Sequence, residues 1–166
     1  MQDGDIVLVK ARRWLRWLCT YDHAGIVWSY DGAWHCCEAG FSGVRSWPMG
    51  HWGRGYIIIR PIVAASHGSP WPCELGILVA ADALAMQGEH YDLLHLVRAI
   101  WRIVKRKFRR PGIAAQAGVV CSELACNVWR GRGVDLCPGV AVPTPDDLAD
   151  AVMGRRAVLI TTREEV

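Results

Sequence analysis

At 166 residues the chain fits one domain, residues 1–166, and a domain of that size buries well over half of its unfolded surface. Apolar residues make up 52% and charged residues 21%, ordinary globular usage that excludes a disordered chain, while nine Trp against two Phe is an unusual choice of aromatics. The formal net charge of +3 is too small to imply nucleic acid by itself, although basic residues collect between Lys10 and Arg16 and between Arg102 and Arg110.

Asp5 to Val9 (DIVLV) predicts a short buried strand, a β-branched apolar run bounded by Gly4 and Lys10. Arg12 to Leu18 (RRWLRWL) predicts an amphipathic helical turn, with Trp14, Leu15, Trp17 and Leu18 on one side and the arginines mostly opposite. Gly25 to Ser29 and Ala33 to Glu38 predict two strands joined at Tyr30-Asp31-Gly32, where Asp-Gly is a strong hairpin signal. Tyr56 to Arg60 predicts another strand, closed by Pro61, which makes three or four strands in the first sixty residues.

Helical segments follow. Cys73 to Gln87, with Pro72 ahead and Gly88 behind, and Tyr91 to Phe108 predict two helices. Cys121 to Arg130 predicts a third, ended by Gly131-Arg132-Gly133. Pro145 to Ala149 reads as a helix start and Ala157 to Thr161 as a last strand. Strands followed by helices predict an α+β fold with a mainly antiparallel sheet packed against helices.

Seven cysteines cannot form a complete internal disulfide framework. The start, Met1-Gln2-Asp3-Gly4-Asp5, lacks the basic region and apolar core of a signal peptide, and no apolar stretch is long enough to span a bilayer. Reduced thiols in a cytoplasmic setting are therefore the expectation, with release by lysis or carriage on a particle as the routes out.

Chemistry concentrates at two places. Cys121 heads a predicted helix, and His23 precedes the apolar strand residues Gly25-Ile26-Val27. A thiol acts as a nucleophile once ionised, and an ordinary cysteine has a pKa of about 8.5. Lowering that by roughly three units takes about 4 kcal/mol. A helix N-terminus supplies at most about 2 kcal/mol, so a neighbouring imidazolium must supply the rest. The pair then needs a group to orient the ring. Two-residue periodicity puts Trp34, Cys36 and Glu38 on one face of their strand and His35 and Cys37 on the other, which makes Glu38 the candidate. Glu123 lies two helical steps from Cys121, about 200° around the axis, and points elsewhere. Asp22 faces the opposite side of the His23 strand.

The order Gly4-Asp5-Ile6-Val7, Asp22-His23-Ala24-Gly25-Ile26-Val27, Cys37-Glu38-Ala39, Gly88-Glu89-His90-Tyr91-Asp92, Val120-Cys121-Ser122-Glu123-Leu124 and Thr144-Pro145-Asp146-Asp147-Leu148 resembles the circularly permuted branch of the NlpC/P60 papain-like superfamily, the YiiX/YaeF-like cysteine hydrolases. The resemblance covers nearly the whole chain. It implies a circularly permuted papain-like α+β fold, with Cys121 as nucleophile, His23 as base and Glu38 as orienting residue. It also implies that Tyr91, which matches a family tyrosine facing the site, helps to hold the oxyanion. Two departures bear on specificity: the long basic stretch between Tyr91 and Cys121, and Val120 where this branch often has Tyr.

The expected activity is cysteine-dependent hydrolysis of an amide in a cell-wall peptide or an N-acyl or lipid-linked compound, through an acyl-enzyme. Acyl transfer, lipid hydrolysis at a membrane surface and a non-catalytic module for an anionic polymer or lipid are the alternatives. The chemistry needs no cofactor and no metal: Cys19, Cys36, Cys37, Cys73, His23 and His35 include neither a C-x-x-C pair nor H-E-x-x-H. For partners, Arg12, Arg13, Arg16, Lys105, Arg106, Lys107, Arg109 and Arg110 suit an anionic membrane or cell-wall surface, whereas nucleic acid is not expected.

Overall fold

The computed structural model describes residues 1–40, 42–63, 72–89 and 121–163. Six strands, β1 (Ile6–Lys10), β2 (Tyr21–Tyr30), β3 (Ala33–Gly40), β4 (Gly43–Pro48), β5 (Tyr56–Pro61) and β6 (Ala157–Arg163), form one antiparallel sheet in the order β4-β3-β2-β1-β5-β6. The described helices are α1 (Pro72–Ala85), α2 (Cys121–Gly131) and α3 (Pro145–Met153). Together they make the expected α+β arrangement.

Local chemistry accounts for the turns and caps. Asp31 and Gly32 have φ of 48° and 73°, the left-handed geometry that a two-residue hairpin turn needs to match strand twist. Helix α3 starts with a capping box: Thr144 Oγ1 accepts from the Asp147 N–H, and the Asp147 carboxylate accepts from the Thr144 N–H, with Pro145 in the first turn.

The sheet is buried on both faces. Ile6, Leu8, Ala24, Ile26, Cys37 and Ile59 pack with Val79, Leu124, Ala125 and Leu148 of the helices. Val7, Val9, Val27, Cys36, Tyr56 and Ile58 form a second cluster, joined by Trp34, Met49 and Trp52. Alternation along β1 and β3 assigns neighbouring residues to opposite clusters, as period two requires.

Three expectations change. Strand β4 was not anticipated, so five strands precede α1. Its burial pattern is confined to Gly43 and Val44 at one end, which leaves no apolar alternation to read, and as the sheet edge it tolerates the closing Pro48. Arg12 to Leu18 forms turns in place of a helical segment, with N–H bonds from Leu15 and Arg16 to the Arg12 carbonyl and from Leu18 and Cys19 to the Leu15 carbonyl. Seven residues are too few to sustain a helix without strong packing. Finally, β2 begins at Tyr21, so His23 is the third residue of a strand and does not precede one. The expected helix from Tyr91 to Phe108 lies outside the described residues. No helix among the described residues is long and apolar enough to cross a membrane.

Two glycines set how α1 docks. A Cβ on Gly4, whose φ is +82°, would lie 2.6 Å from the Gly76 Cα, and a Cβ on Gly76 would overlap the Asp3 carbonyl oxygen. The Trp129 indole also donates to the Gly4 carbonyl at 3.0 Å, so three segments converge there. Gly76→Ala is expected to destabilise the fold by about 1–3 kcal/mol through overpacking. Gly131→Ala, where a Cβ meets nothing within 4 Å, should leave the urea midpoint unchanged or raised. Equal midpoints for the two variants would contradict this account of α1 docking.

Candidate active site

His23 lies on β2 opposite Val9 of β1, with one strand, β3, between it and the β4 edge. The β2–β3 register pairs Ile26 with Cys37 and so brings Glu38 over Gly25, two residues from His23 and on the same strand face. Gly25 makes that approach feasible. A Cβ there would overlap the Cys36 sulfur and lie 2.8 Å from the Cys37 carbonyl oxygen and 3.3 Å from the Glu38 Cβ.

The His23 Nε2 lies 2.7 Å from the Glu38 Oε2. The carboxyl's own burial opposes its ionisation, but the hydrogen bond and charge of His23, the charge of His51 and the Trp52 N–H together hold its pKa below 4.5. Glu38 is thus an anion at neutral pH and can only accept, which assigns the Nε2 proton to His23. The remaining ring nitrogen, Nδ1, is left for Cys121, whose side chain acts on the ring and raises its pKa.

Cys121 heads α2 and is 7% exposed. Its N–H is among the first four of the helix, which have no partner inside it. The Ser122 hydroxyl donates to the Pro143 carbonyl at 2.7 Å, tying the α2 start to the cap of α3. The Asp146 carboxylate of α3 in turn accepts the N–H groups of Thr20 and Tyr21 at 2.9–3.2 Å, immediately before Asp22 and His23. Both ends of the Cys–His contact are therefore anchored to the same capped helix.

The electrostatics follow from this placement. Burial would lower the His23 pKa, yet its interactions with Cys121 and then with the Glu38 carboxylate outweigh it and raise the value from 6.5 to about 10. Neighbouring thiols are driven the other way. Burial, then the charges of Glu38, Cys37 and Cys121, push Cys36 well above 9.0, and burial with Glu38 pushes Cys37 to about 12. These two stay protonated and inert.

Structural comparison adds the fold relationship. The crystal structure of metalloprotein yiiX from Escherichia coli O157:H7, DUF1105, superposes on the chain with a TM-score of 0.66, covering 98% of each chain at 15% sequence identity. The fold is yiiX-like. No family model and no curated protein matches the sequence.

Within this yiiX-like fold, two residues join the site that the sequence reading did not name. His51 Nε2 lies 3.2 Å from the Glu38 Oε1, and the Trp52 indole donates to the Glu38 Oε2 at 2.8 Å. The rings of His51 and Trp52 sit 4.3 Å apart, and Trp52 meets His23 edge-on at 6.4 Å. The expected separation of Asp22 from the site is observed: its carboxylate binds the Arg54 guanidinium at 2.7 Å and the Arg12 N–H. Glu123 is buried in α2. Tyr91, Lys105, Arg106, Lys107, Arg109 and Arg110 lie outside the described residues. No group of three or more His, Cys, Asp and Glu among the described residues is arranged to hold a metal ion.

Proposed function

We propose that the chain is a cysteine-dependent hydrolase of the circularly permuted NlpC/P60 papain-like kind, cleaving an amide through an acyl-enzyme on Cys121. The observation that carries this reading is the single imidazole of His23, held at 2.7 Å by the Glu38 carboxylate and interacting with the Cys121 side chain strongly enough to raise its pKa. The residues stand in the chain order His, Glu, Cys, the order that the permuted branch requires.

The Cys121 thiolate attacks the carbonyl carbon and forms a C–S bond, and the oxyanion is met by the Cys121 N–H at the head of α2. Collapse breaks the C–N bond as His23 gives its Nδ1 proton to the departing nitrogen. Water then attacks the thioester, losing a proton to His23, and the thiolate leaves. An amine or alcohol in place of that water would make the protein an acyltransferase. Glu38 keeps the Nε2 proton in place throughout, so that the exchange runs at Nδ1. The substrate class proposed is a cell-wall peptide amide or an N-acyl or lipid-linked amide.

Intact-mass measurement after mixing with muropeptides and with N-acyl amides tests the proposal. One acyl group is expected on the parent, mapped to Cys121, and none on Cys121→Ala. An adduct that persists in Cys121→Ala, or the absence of any adduct from both substrate classes, would sink it.

A further inference from the structure

We infer that the turn at residues 12–18 is a docking surface for an anionic lipid bilayer, an inference that stands apart from the catalytic reading. Trp14 is 67% exposed and Trp17 64% exposed, whereas Trp is on average a highly buried residue. Arg12, Arg13 and Arg16 are exposed beside them, and Leu15 and Leu18 turn partly inward. Five of seven consecutive residues thus project outward as two indoles interleaved with three guanidinium groups, the reverse of the partition that a helical reading of the segment implies.

The composition selects the partner. An indole has an apolar body and one N–H, and it settles at the headgroup level of a membrane, where arginine stems lie on apolar surface and guanidinium groups reach phosphate. A protein–protein contact of this size would have to bury three charges at its centre, where interfaces are depleted of charge. A nucleic-acid strand would need a longer basic track than this turn provides, in a chain whose formal net charge is only +3.

The turn is rooted where it can present such a surface rigidly. The Arg12 N–H is held by the Asp22 carboxylate at 3.1 Å, and the Thr20 N–H by Asp146. The Arg16 Nε donates to the Ala11 carbonyl at 3.1 Å and steadies the base.

Sedimentation of the full chain with vesicles of phosphatidylcholine alone, or of phosphatidylcholine mixed with phosphatidylglycerol, tests the inference. Binding is expected to the mixed vesicles, to weaken with salt, and to shift indole emission to the blue. Each arginine near an anionic leaflet adds roughly fivefold to partitioning, so Arg12→Glu with Arg13→Glu and Arg16→Glu should reduce it about a hundredfold or more. Trp14→Ser with Trp17→Ser should reduce it about tenfold and abolish the emission shift. Both variants should unfold in one cooperative transition like the parent, the arginine variant at a slightly lower temperature because it loses the Arg16–Ala11 hydrogen bond. The inference is overturned if the parent ignores anionic vesicles, or if both variants bind like the parent. It is equally overturned if only charge reversal at Arg106, Lys107, Arg109 and Arg110 removes binding, or if single-stranded nucleic acid competes at equal affinity.

Discussion

Replacing His23 by alanine is expected to slow alkylation of Cys121 at pH 7 by about thirtyfold, because an unassisted thiol is only a few per cent ionised at that pH. In the parent, the His23 ring faces the sulfur and carries its proton up to a pKa of about 10. Peptide-resolved mass spectrometry after brief exposure to iodoacetamide, repeated from pH 5 to 11, gives the rate at each cysteine. The two proteins should converge at the alkaline end, where an ordinary unassisted thiol is itself ionised. Turnover in the parent should keep its proton donor well above neutral pH, with an alkaline limb near 10 in place of the ordinary histidine value of 6.5. Equal labelling of parent and variant at pH 7 would remove His23 from the chemistry. Cys73, the exposed thiol, is the internal reference for ordinary reactivity.

The second large effect is expected from Glu38→Gln, which keeps the shape of the side chain and removes its charge. Three donors converge on this carboxylate, from His23, His51 and Trp52, and its side chain is 10% exposed. Loss of the ionised acceptor should cost about 1–3 kcal/mol of stability. It should also reduce acyl-enzyme formation about a thousandfold, because an amide can present its N–H to Nε2 and select the wrong tautomer. The pH dependence has a definite sign. The Glu38 pKa is held below 4.5, so its contribution to stability is full above that value and is lost as pH falls through the lowered pKa. The His23 pKa is raised, so its contribution is full below 6.5 and is lost as pH rises through about 10. Urea unfolding of the parent should therefore lose stability from this pair on both sides of the interval between about 4.5 and 6.5, and E38Q should show a flatter profile. Superimposable profiles would mean that the pair does not govern the site.

The three residues at the centre were legible because each depends on short-range regularities. Glu38 was chosen by strand alternation, and β3 keeps that alternation, with Cys36 in one apolar cluster and Cys37 in the other. The hairpin register followed from Asp31-Gly32, whose left-handed torsions are what a two-residue turn demands. His51 and Trp52 were not legible. They sit between β4 and β5 in a segment with no periodicity, and their position at Glu38 results from the β3–β4 pairing, whose edge strand is itself nearly silent in the sequence. A pairing between Trp52 and the Glu38 carboxylate is a tertiary fact that local composition does not encode. The turn at residues 12–18 fails differently. Its apolar and basic residues suit a helix, but the short segment between the tethers of Arg12 to Asp22 and Thr20 to Asp146 closes into turns instead.

The clasp between Asp146 and the start of β2 carries a consequence for cooperativity. One carboxylate near the head of α3 holds the backbone from which His23 is suspended, and the cap of the same helix lies against the start of α2 through Pro143 and Ser122. Cys121 and His23 thus belong to one opening unit, although about a hundred residues separate them along the chain. Any fluctuation that lifts α3 releases both partners together, so the Cys121–His23 contact opens as a unit and the sulfur is uncovered to oxidants only when α3 moves.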